Sequence, residues 1–170
     1  MSNKKLGILG MGRIGRAVAQ RARGFGMEIH YHNRNKLSSD LELGAIYHKD
    51  AKSLFAESEF LSINCPATAE TTNLLNEETI KILPDKAVVA NAARGDIIDD
   101  KAMIEAMKSG KIFALGLDVY NGEPKINEEY LKLDNLFLLP HLGSSTKRTR
   151  IDMGDRAIDN LEVFFSGKKP

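Results

Sequence analysis

The chain has almost no cysteine, no long apolar run and no excess of either charge. Its 170 residues include one cysteine, which excludes an internal disulfide and indicates a reducing compartment. No apolar stretch approaches the roughly 20 residues of a membrane span, and the first residues lack the apolar core of a signal peptide. A net charge of +1 argues against nucleic acid or an anionic membrane surface as the main partner. We therefore expect a cytoplasmic protein with no nucleic-acid partner and no membrane partner.

The remaining composition is that of an ordinary globular domain. Hydrophobic residues make up 42% of the chain and charged residues 28%, and this length is enough to bury a core. There are no internal repeats and no low-complexity segments. We expect one domain over residues 1–170.

An apolar run meets a glycine-rich turn close to the start of the chain. The run Leu6–Leu9 predicts a short buried strand, and Gly10, Gly12 and Gly15 follow as G-x-G-x-x-G before a helical pattern. Gly10 allows a tight exit from the strand, Gly12 leaves room for a pyrophosphate, and Gly15 lets the helix lie close to the sheet. The N–H groups at the helix start would face the phosphates. A glycine triplet alone also fits a plain turn, but its place between strand and helix favours a dinucleotide-binding turn.

Strands and helices alternate along the whole chain. The first helix carries an apolar face of Ile14, Ala17, Val18, Ala22 and Phe25. Asp50, Asn76 and Asp99 stand where they can cap later helices. The predicted strands are 6–9, 27–31, 45–47, 60–64, 87–91, 112–117 and 136–139. This alternation predicts an α/β fold with a doubly wound parallel sheet, the Rossmann fold.

The loop after the second strand bears on the choice of cofactor. An NAD-specific protein usually has an acid there, about 20 residues beyond the glycines, for the ribose 2′-hydroxyl. This chain has Asn33, Arg34 and Lys36 instead. A guanidinium pairs with a 2′-phosphate, whereas a carboxylate would repel it. The alternative is a solvated basic loop; because of the diagnostic position we favour NADP, with NAD as the other candidate.

Three ionisable residues stand just past successive predicted strands: Arg94, Glu123 and His141. In an open parallel sheet these strand ends share the edge that holds the glycine turn. Each residue alone has a structural explanation, but together they form a working set for reduction of a carbonyl group. Arg94 can polarise the carbonyl oxygen and hold a carboxylate, His141 can exchange the proton, and Glu123 can stabilise the protonated imidazole.

Other chemistries find less support in the sequence. His30 and His32 alternate along a strand without a further ligand nearby, so we expect no metal site. Cys65 has no catalytic partner and is interpreted as a packed or cofactor-flanking thiol. Neither a G-x-S-x-G motif nor a P-loop occurs.

An ordered set of motifs over nearly the whole chain resembles the nucleotide-binding domain of D-2-hydroxyacid dehydrogenases, most closely the glyoxylate/hydroxypyruvate reductase branch. The motifs are Leu6–Gly15, His32–Arg34, Asn91–Gly95, Gly116–Val119, Glu123–Pro124 and Pro140–Ser144. The resemblance implies an NADP-dependent oxidoreductase acting on a small 2-oxo or 2-hydroxy acid. Arg94 would bind substrate, His141 would be the acid and base, and Glu123 would support it. The implied cofactor contacts are Arg13 and Ile14 at the pyrophosphate, the backbone around Cys65, Pro66 and Ala92, Asp118 at the nicotinamide amide, and Gly143 by the ring.

The resemblance does not extend to one large part of the family's proteins. Members carry a second, discontinuous substrate domain, built from residues ahead of this start and a tail after this end. We therefore expect an excised domain or the remnant of a truncated gene, which binds NADP(H) but turns over weakly or not at all because its cleft cannot close. Members usually pair through this domain, which implies a homodimer, although the segment that normally forms the dimer is also missing.

Two other functions fit the same residues. One is a non-catalytic nucleotide-sensing or scaffold module, since relatives include corepressors that bind NAD(H). The other is a phosphoglycerate- or formate-type dehydrogenase, which differs only in substrate. Most residues that choose the substrate would lie in the missing half.

Overall fold

The computed structural model describes residues 1–169 and contains one sheet of seven strands. The strands are β1 (Lys5–Leu9), β2 (Glu28–His32), β3 (Ile46–His48), β4 (Phe60–Ile63), β5 (Ala87–Asn91), β6 (Ile112–Leu117) and β7 (Leu136–Leu138). Their order in the sheet is β3-β2-β1-β4-β5-β6-β7, and every neighbouring pair is parallel. The predicted doubly wound parallel sheet is confirmed.

Helices connect the strands, and the predicted caps are confirmed. The helices are α1 (Arg13–Gly24), α2 (Ser39–Glu42), α3 (Ala51–Glu57), α4 (Glu77–Ile82), α5 (Asp100–Lys108) and α6 (Lys147–Phe165), with 3-10 turns at Gly95–Ile97 and Glu128–Lys132. The side chains of Asp50, Asn76 and Asp99 accept hydrogen bonds from the first-turn N–H groups of α3, α4 and α5. The sequence pattern does not predict α2, which is a single turn between β2 and β3.

The chain divides into two compact units, Met1–Leu139 and Pro140–Pro170. The first holds the whole sheet and α1–α5. The second holds α6, whose start is capped by the Thr146 hydroxyl accepting from the N–H of Thr149. No residue of α6 is buried. Within residues 1–169, no helix combines the length and the apolar character needed to cross a bilayer.

The core of the first unit lies on both faces of the sheet. Leu6 and Ile8 of β1 pack with Ala19 and Ala22 of α1 on one face. On the other face, Leu9 joins the larger cluster that includes side chains of α3, α4 and α5. Gly7 faces this side, because a Cβ there would lie 1.8 Å from the Ser58 hydroxyl oxygen. Alternate residues of β1 thus pack against the helices on opposite faces of the sheet, as expected for a parallel sheet covered on both faces.

The buried face of α1 differs from the predicted one. Ile14 and Phe25 are 69% and 59% exposed, whereas Gly15, Ala19 and Ala22 are buried. The prediction that Ile14 and Phe25 belong to the buried face was wrong. A Cβ on Gly15 would lie 2.4 Å from the Gly10 carbonyl oxygen, so α1 approaches the sheet through its smallest residues. The close approach of α1 to the sheet therefore determines which face of the helix is buried. The larger side chains of Ile14 and Phe25 are left exposed.

Candidate functional site

A cavity of about 500 Å³ opens at the carboxyl ends of β1, β2 and β4. The order of the strands reverses here, because β2 and β4 lie on opposite sides of β1. Ligands of open α/β sheets bind at such switch points, and the volume falls within the range of about 300–1,000 Å³ typical of small-molecule pockets. The lining includes Gly10, Gly12, His32, Asn33, Arg34, Asn64, Cys65, Pro66, Thr68, Glu70 and Thr71.

The glycine turn forms the floor of this cavity. Gly10 has φ +93°, and a Cβ there would lie 2.6 Å from the backbone nitrogen of Cys65, so only glycine fits. Its N–H donates to the His32 carbonyl oxygen over 3.0 Å. A Cβ on Gly12, by contrast, would meet nothing within 4 Å. The chain therefore leaves open space at Gly12 and close contacts at Gly10.

The amino end of α1 is suited to hold an anion. Gly12 is its N-cap, no side chain caps the helix, and its first turn has no acidic residue. The first N–H groups of a helix have no partner within the helix, and they carry its positive dipole end. Beside the open space at Gly12, these groups fit a dinucleotide pyrophosphate.

The loop after β2 contributes two of its three predicted residues to the cavity. Asn33 ties this loop to the glycine turn, because its Oδ1 accepts from the Met11 N–H over 2.6 Å. Arg34 is exposed and lines the cavity. Lys36 does not line it; its ammonium lies 3.8 Å from a carboxylate oxygen of Glu42. The structure thus brings Arg34 to the cavity and leaves Lys36 beside α2.

The loop after β4 forms the opposite wall. Burial raises the pKa of the Cys65 thiol to about 11, so the thiol stays protonated at neutral pH and is a poor nucleophile. Beyond Pro66 the loop folds back, because the Thr71 hydroxyl donates to the Pro66 carbonyl oxygen and accepts from the Thr68 N–H. Sequence reasoning missed Thr68, Glu70 and Thr71. The spacing of the two threonines was the one available signal, since hydroxyl side chains favour such turns.

The loop after β5 presents Ala92 and Arg94 at the same sheet edge, and both are exposed. The buried Asn91 side chain organises it: its Nδ2 donates to the Arg94 carbonyl oxygen over 2.8 Å and its Oδ1 accepts from the Ala93 N–H. The N–H of Asp118, at the end of β6, donates to the Asn91 carbonyl oxygen. One buried amide therefore determines where Arg94 leaves the sheet.

The loops that carry Arg94 and Glu123 touch each other. A Cβ on Gly95 would lie 2.1 Å from the Tyr120 carbonyl carbon, so this contact requires glycine. The Tyr120 N–H in turn donates to a carboxylate oxygen of Glu123 over 3.1 Å. The structure thus brings together the loops of two of the three residues predicted to be catalytic.

Other predicted residues lie apart from the cavity lining. Arg13 lines a separate cleft between α1 and α2, and the exposed Ile14 follows it on α1. His141, with φ +55°, and Gly143 belong to the second unit. The convergence of His141 with Arg94 and Glu123 stays a prediction.

The histidines of the sheet are hydrogen-bonded to their neighbours. His30 Nδ1 lies 2.9 Å from His48 Nε2, and His30 Nε2 lies 2.6 Å from a carboxylate oxygen of Glu28. His32 Nδ1 lies 2.9 Å from the His48 carbonyl oxygen. Across residues 1–169, no group of three or more His, Cys, Asp or Glu side chains could hold a metal ion.

Comparison with known proteins identifies similar chains. A family model described as "D-isomer specific 2-hydroxyacid dehydrogenase, NAD binding domain" matches residues 1–143. Glycerate dehydrogenase of Hyphomicrobium methylovorum is 44% identical over 98% of this chain and 52% of its own length. Glyoxylate reductase of Thermococcus litoralis is 43% identical over 100% of this chain and 51% of its own length. The chain thus spans about half the length of these relatives.

Solved structures show the same similarity. The crystal structure of a glyoxylate reductase from Paecilomyes thermophila has a TM-score of 0.91 and 44% identity, over 95% of this chain and 49% of that one. An NADPH-dependent glyoxylate/hydroxypyruvate reductase from Sinorhizobium meliloti, in complex with NADP and malonate, has a TM-score of 0.91 and 36% identity, over 96% and 50%. The similarity again covers half of each larger chain.

Proposed function

Because the chain belongs to the D-isomer specific 2-hydroxyacid dehydrogenase family through its NAD binding domain, we propose that it is the cofactor-binding half of an NADP-dependent reductase of small 2-oxo acids, of the glyoxylate/hydroxypyruvate type. The observation that carries this proposal is the cavity at the β1–β4 switch point. Its floor is a glycine turn with open space at Gly12 and the uncapped start of α1 beside it. These features suit a nicotinamide dinucleotide.

The preference for NADPH is supported by the loop after β2. No carboxylate follows this strand at the position that binds a ribose 2′-hydroxyl. Asn33 occupies that position, and its Oδ1 is engaged with the Met11 N–H. Arg34 lines the cavity and is exposed, so its guanidinium is available to a 2′-phosphate. The reductase from Sinorhizobium meliloti in complex with NADP is a similar protein.

The proposed chemistry uses three residues of this chain. When bound, the reduced nicotinamide of NADPH would supply hydride to the carbonyl carbon of the substrate. Arg94 holds the substrate carboxylate and stabilises the negative charge that develops on the carbonyl oxygen. His141 donates the proton to that oxygen, and Glu123 stabilises the protonated imidazole. The contact of the Arg94 and Glu123 loops through Gly95 supports their joint action.

Cofactor binding tests the first half of this proposal. Titration of the chain with NADPH and with NADH, followed by nicotinamide fluorescence, is expected to give a lower Kd for NADPH. Arg34→Ala is expected to weaken NADPH and leave NADH unchanged, since the 2′-phosphate is the only group that it would contact. The matched control is Arg21→Ala, because Arg21 is an exposed arginine of α1 outside the cavity lining, and its guanidinium donates to the Ala17 carbonyl oxygen. Tighter binding of NADH would contradict the proposed preference.

Catalysis is tested after the other half of the protein is supplied. A chimera in which this chain replaces the matching half of the Thermococcus litoralis reductase is expected to reduce glyoxylate and hydroxypyruvate with NADPH. His141→Ala should lower kcat by roughly 100- to 10,000-fold, the usual contribution of a general acid. His48→Gln is the matched histidine control, because His48 lies on β3 and does not line the cavity. Tight NADPH binding by a chimera that neither reduces these acids with NADPH nor oxidises phosphoglycerate or formate with NADP+ would favour a nucleotide-sensing module.

A further inference from the structure

An exposed carboxylate faces the same cavity as Arg34. Glu70 lies in the loop after β4 and lines the cavity together with Arg34, which lies in the loop after β2. Because β2 and β4 flank β1, these loops form opposite walls above the glycine turn. The cavity therefore has a cationic side chain on one wall and an anionic side chain on the other.

The Glu70 carboxylate is held by its own loop. The Thr68 hydroxyl donates to Glu70 Oε2 over 2.7 Å. This hydrogen bond lowers the pKa of Glu70, and the charge of Arg34 contributes to the same shift. Thr68 is itself tied to Thr71, so the carboxylate is ionised at neutral pH and anchored to the folded-back part of the wall.

We infer that Glu70 sets how strongly this cavity distinguishes NADPH from NADH, by competing with the 2′-phosphate for the guanidinium of Arg34. The inference rests on the proposed function, because it requires that the cavity takes a nicotinamide dinucleotide. Glu70 would influence the choice of cofactor from the loop after β4. The acid of NAD-specific proteins stands instead in the loop after β2, where this chain has none.

Charge explains the direction of the effect. A phosphate monoester carries about −1.5 to −2 charges at neutral pH, so Glu70 repels it and also draws on the cation that would bind it. The 2′-hydroxyl of NADH carries no charge and can donate a hydrogen bond to a carboxylate. Glu70 thus weakens NADPH binding and leaves NADH binding unchanged or slightly stronger.

The variant Glu70→Gln tests this inference, because glutamine removes the charge but keeps a carbonyl oxygen that can accept from Thr68. NADPH is expected to bind roughly two- to fivefold more tightly, the range for exposed charge interactions, while the Kd of NADH stays within about twofold. The gain should shrink as salt rises from about 0.1 to 1 M, because the Debye length falls from about 10 to 3 Å. Kd values are measured by nicotinamide fluorescence, with no turnover required.

Two further variants isolate the interaction. Glu77→Gln removes the same charge from an exposed glutamate of α4 that is paired with Lys81, and it is expected to change neither Kd. In an Arg34→Ala background, the gain from Glu70→Gln is expected to fall by more than half, because the guanidinium for which Glu70 and the 2′-phosphate compete is gone.

The outcomes separate this inference from the proposed function. If the wild-type chain binds neither cofactor, the proposed function fails and the inference with it. If it binds both, but Glu70→Gln changes neither Kd or shifts both equally, only the inference is overturned. An undiminished gain in the Arg34→Ala background would also overturn it, because Glu70 would then act without Arg34.

Discussion

Replacing Gly12 with alanine separates the stability of the glycine turn from its binding role. The new methyl group would meet no atom of the chain within 4 Å, so the folded protein has room for it. Gly12 has φ −78°, which alanine also adopts. The added Cβ does, however, enter the space in which a pyrophosphate must approach the backbone. We therefore expect a protein that folds normally and binds NADPH poorly.

The expected magnitudes follow from the geometry. Alanine is a poorer N-cap than glycine but restricts the unfolded chain, and these opposing effects leave the free energy of unfolding within about 1 kcal/mol of wild type. Loss of one charge-assisted hydrogen bond to the pyrophosphate costs about 1.5–3 kcal/mol, so the Kd for NADPH should rise roughly 10- to 100-fold.

Gly10→Ala is the matched comparison within the same turn. Its Cβ would lie 2.6 Å from the Cys65 nitrogen, and the backbone would keep φ +93°. Overpacking and backbone strain together should cost about 2–5 kcal/mol, which lowers Tm by roughly 5–20 °C in a chain of this size. Gly12→Ala should shift Tm by no more than about 4 °C.

The assay combines thermal unfolding by circular dichroism with NADPH titration by fluorescence. NADPH at 100 times the wild-type Kd should stabilise the wild-type chain by about 2.7 kcal/mol, whereas the same concentration should stabilise Gly12→Ala by only about 0.4–1.4 kcal/mol. Wild-type NADPH affinity in Gly12→Ala would refute the assignment of the pyrophosphate to this turn. A loss of stability as large as that of Gly10→Ala would refute the claim of open space.

Three further predictions concern other parts of the first unit. Asn91→Ala should destabilise the chain by about 1–3 kcal/mol, measured by urea unfolding, because the buried backbone groups of the Arg94 loop lose their partners. Cys65, with its pKa raised to about 11, should react with iodoacetamide at pH 8 roughly 100-fold more slowly than a free thiol, and bound NADPH should slow it further; a rate equal to that of a free thiol would contradict its burial. Burial and the neighbouring His30 lower the pKa of His48 below 6.5, so the folded state disfavours the charged form and stability should fall as pH drops from 7 to 5.5. His48→Gln should flatten that part of the pH profile of Tm.

Much of the fold could be predicted because it follows from local patterns. The strands 87–91 and 112–117 have the predicted bounds, since each is an apolar run between clear turn or helix signals. The caps Asp50, Asn76 and Asp99 were also predicted, because a cap acts on N–H groups only two or three residues away. The rotation of α1 could not be predicted in this way, since it depends on how closely Gly15 approaches Gly10.

The candidate site likewise contains residues that the sequence predicted and residues that it did not. The glycine turn and Arg34 were predicted because a dinucleotide fold places them at characteristic positions in the sequence. Glu70 was missed, because nothing in its neighbours indicates a ligand. It enters the cavity only because β4 lies next to β1 in the sheet.

The sequence by itself determined which segments become the seven strands and the longer helices, where the glycine turn lies and which loop carries the basic residues. Only the tertiary structure decided which loops face each other. It brought the Asn33 side chain to the Met11 N–H, 22 positions away, and set Glu70 opposite Arg34. The physical reason is that periodicity and capping act over a few residues, whereas strand order depends on the packing of the whole sheet between its helices.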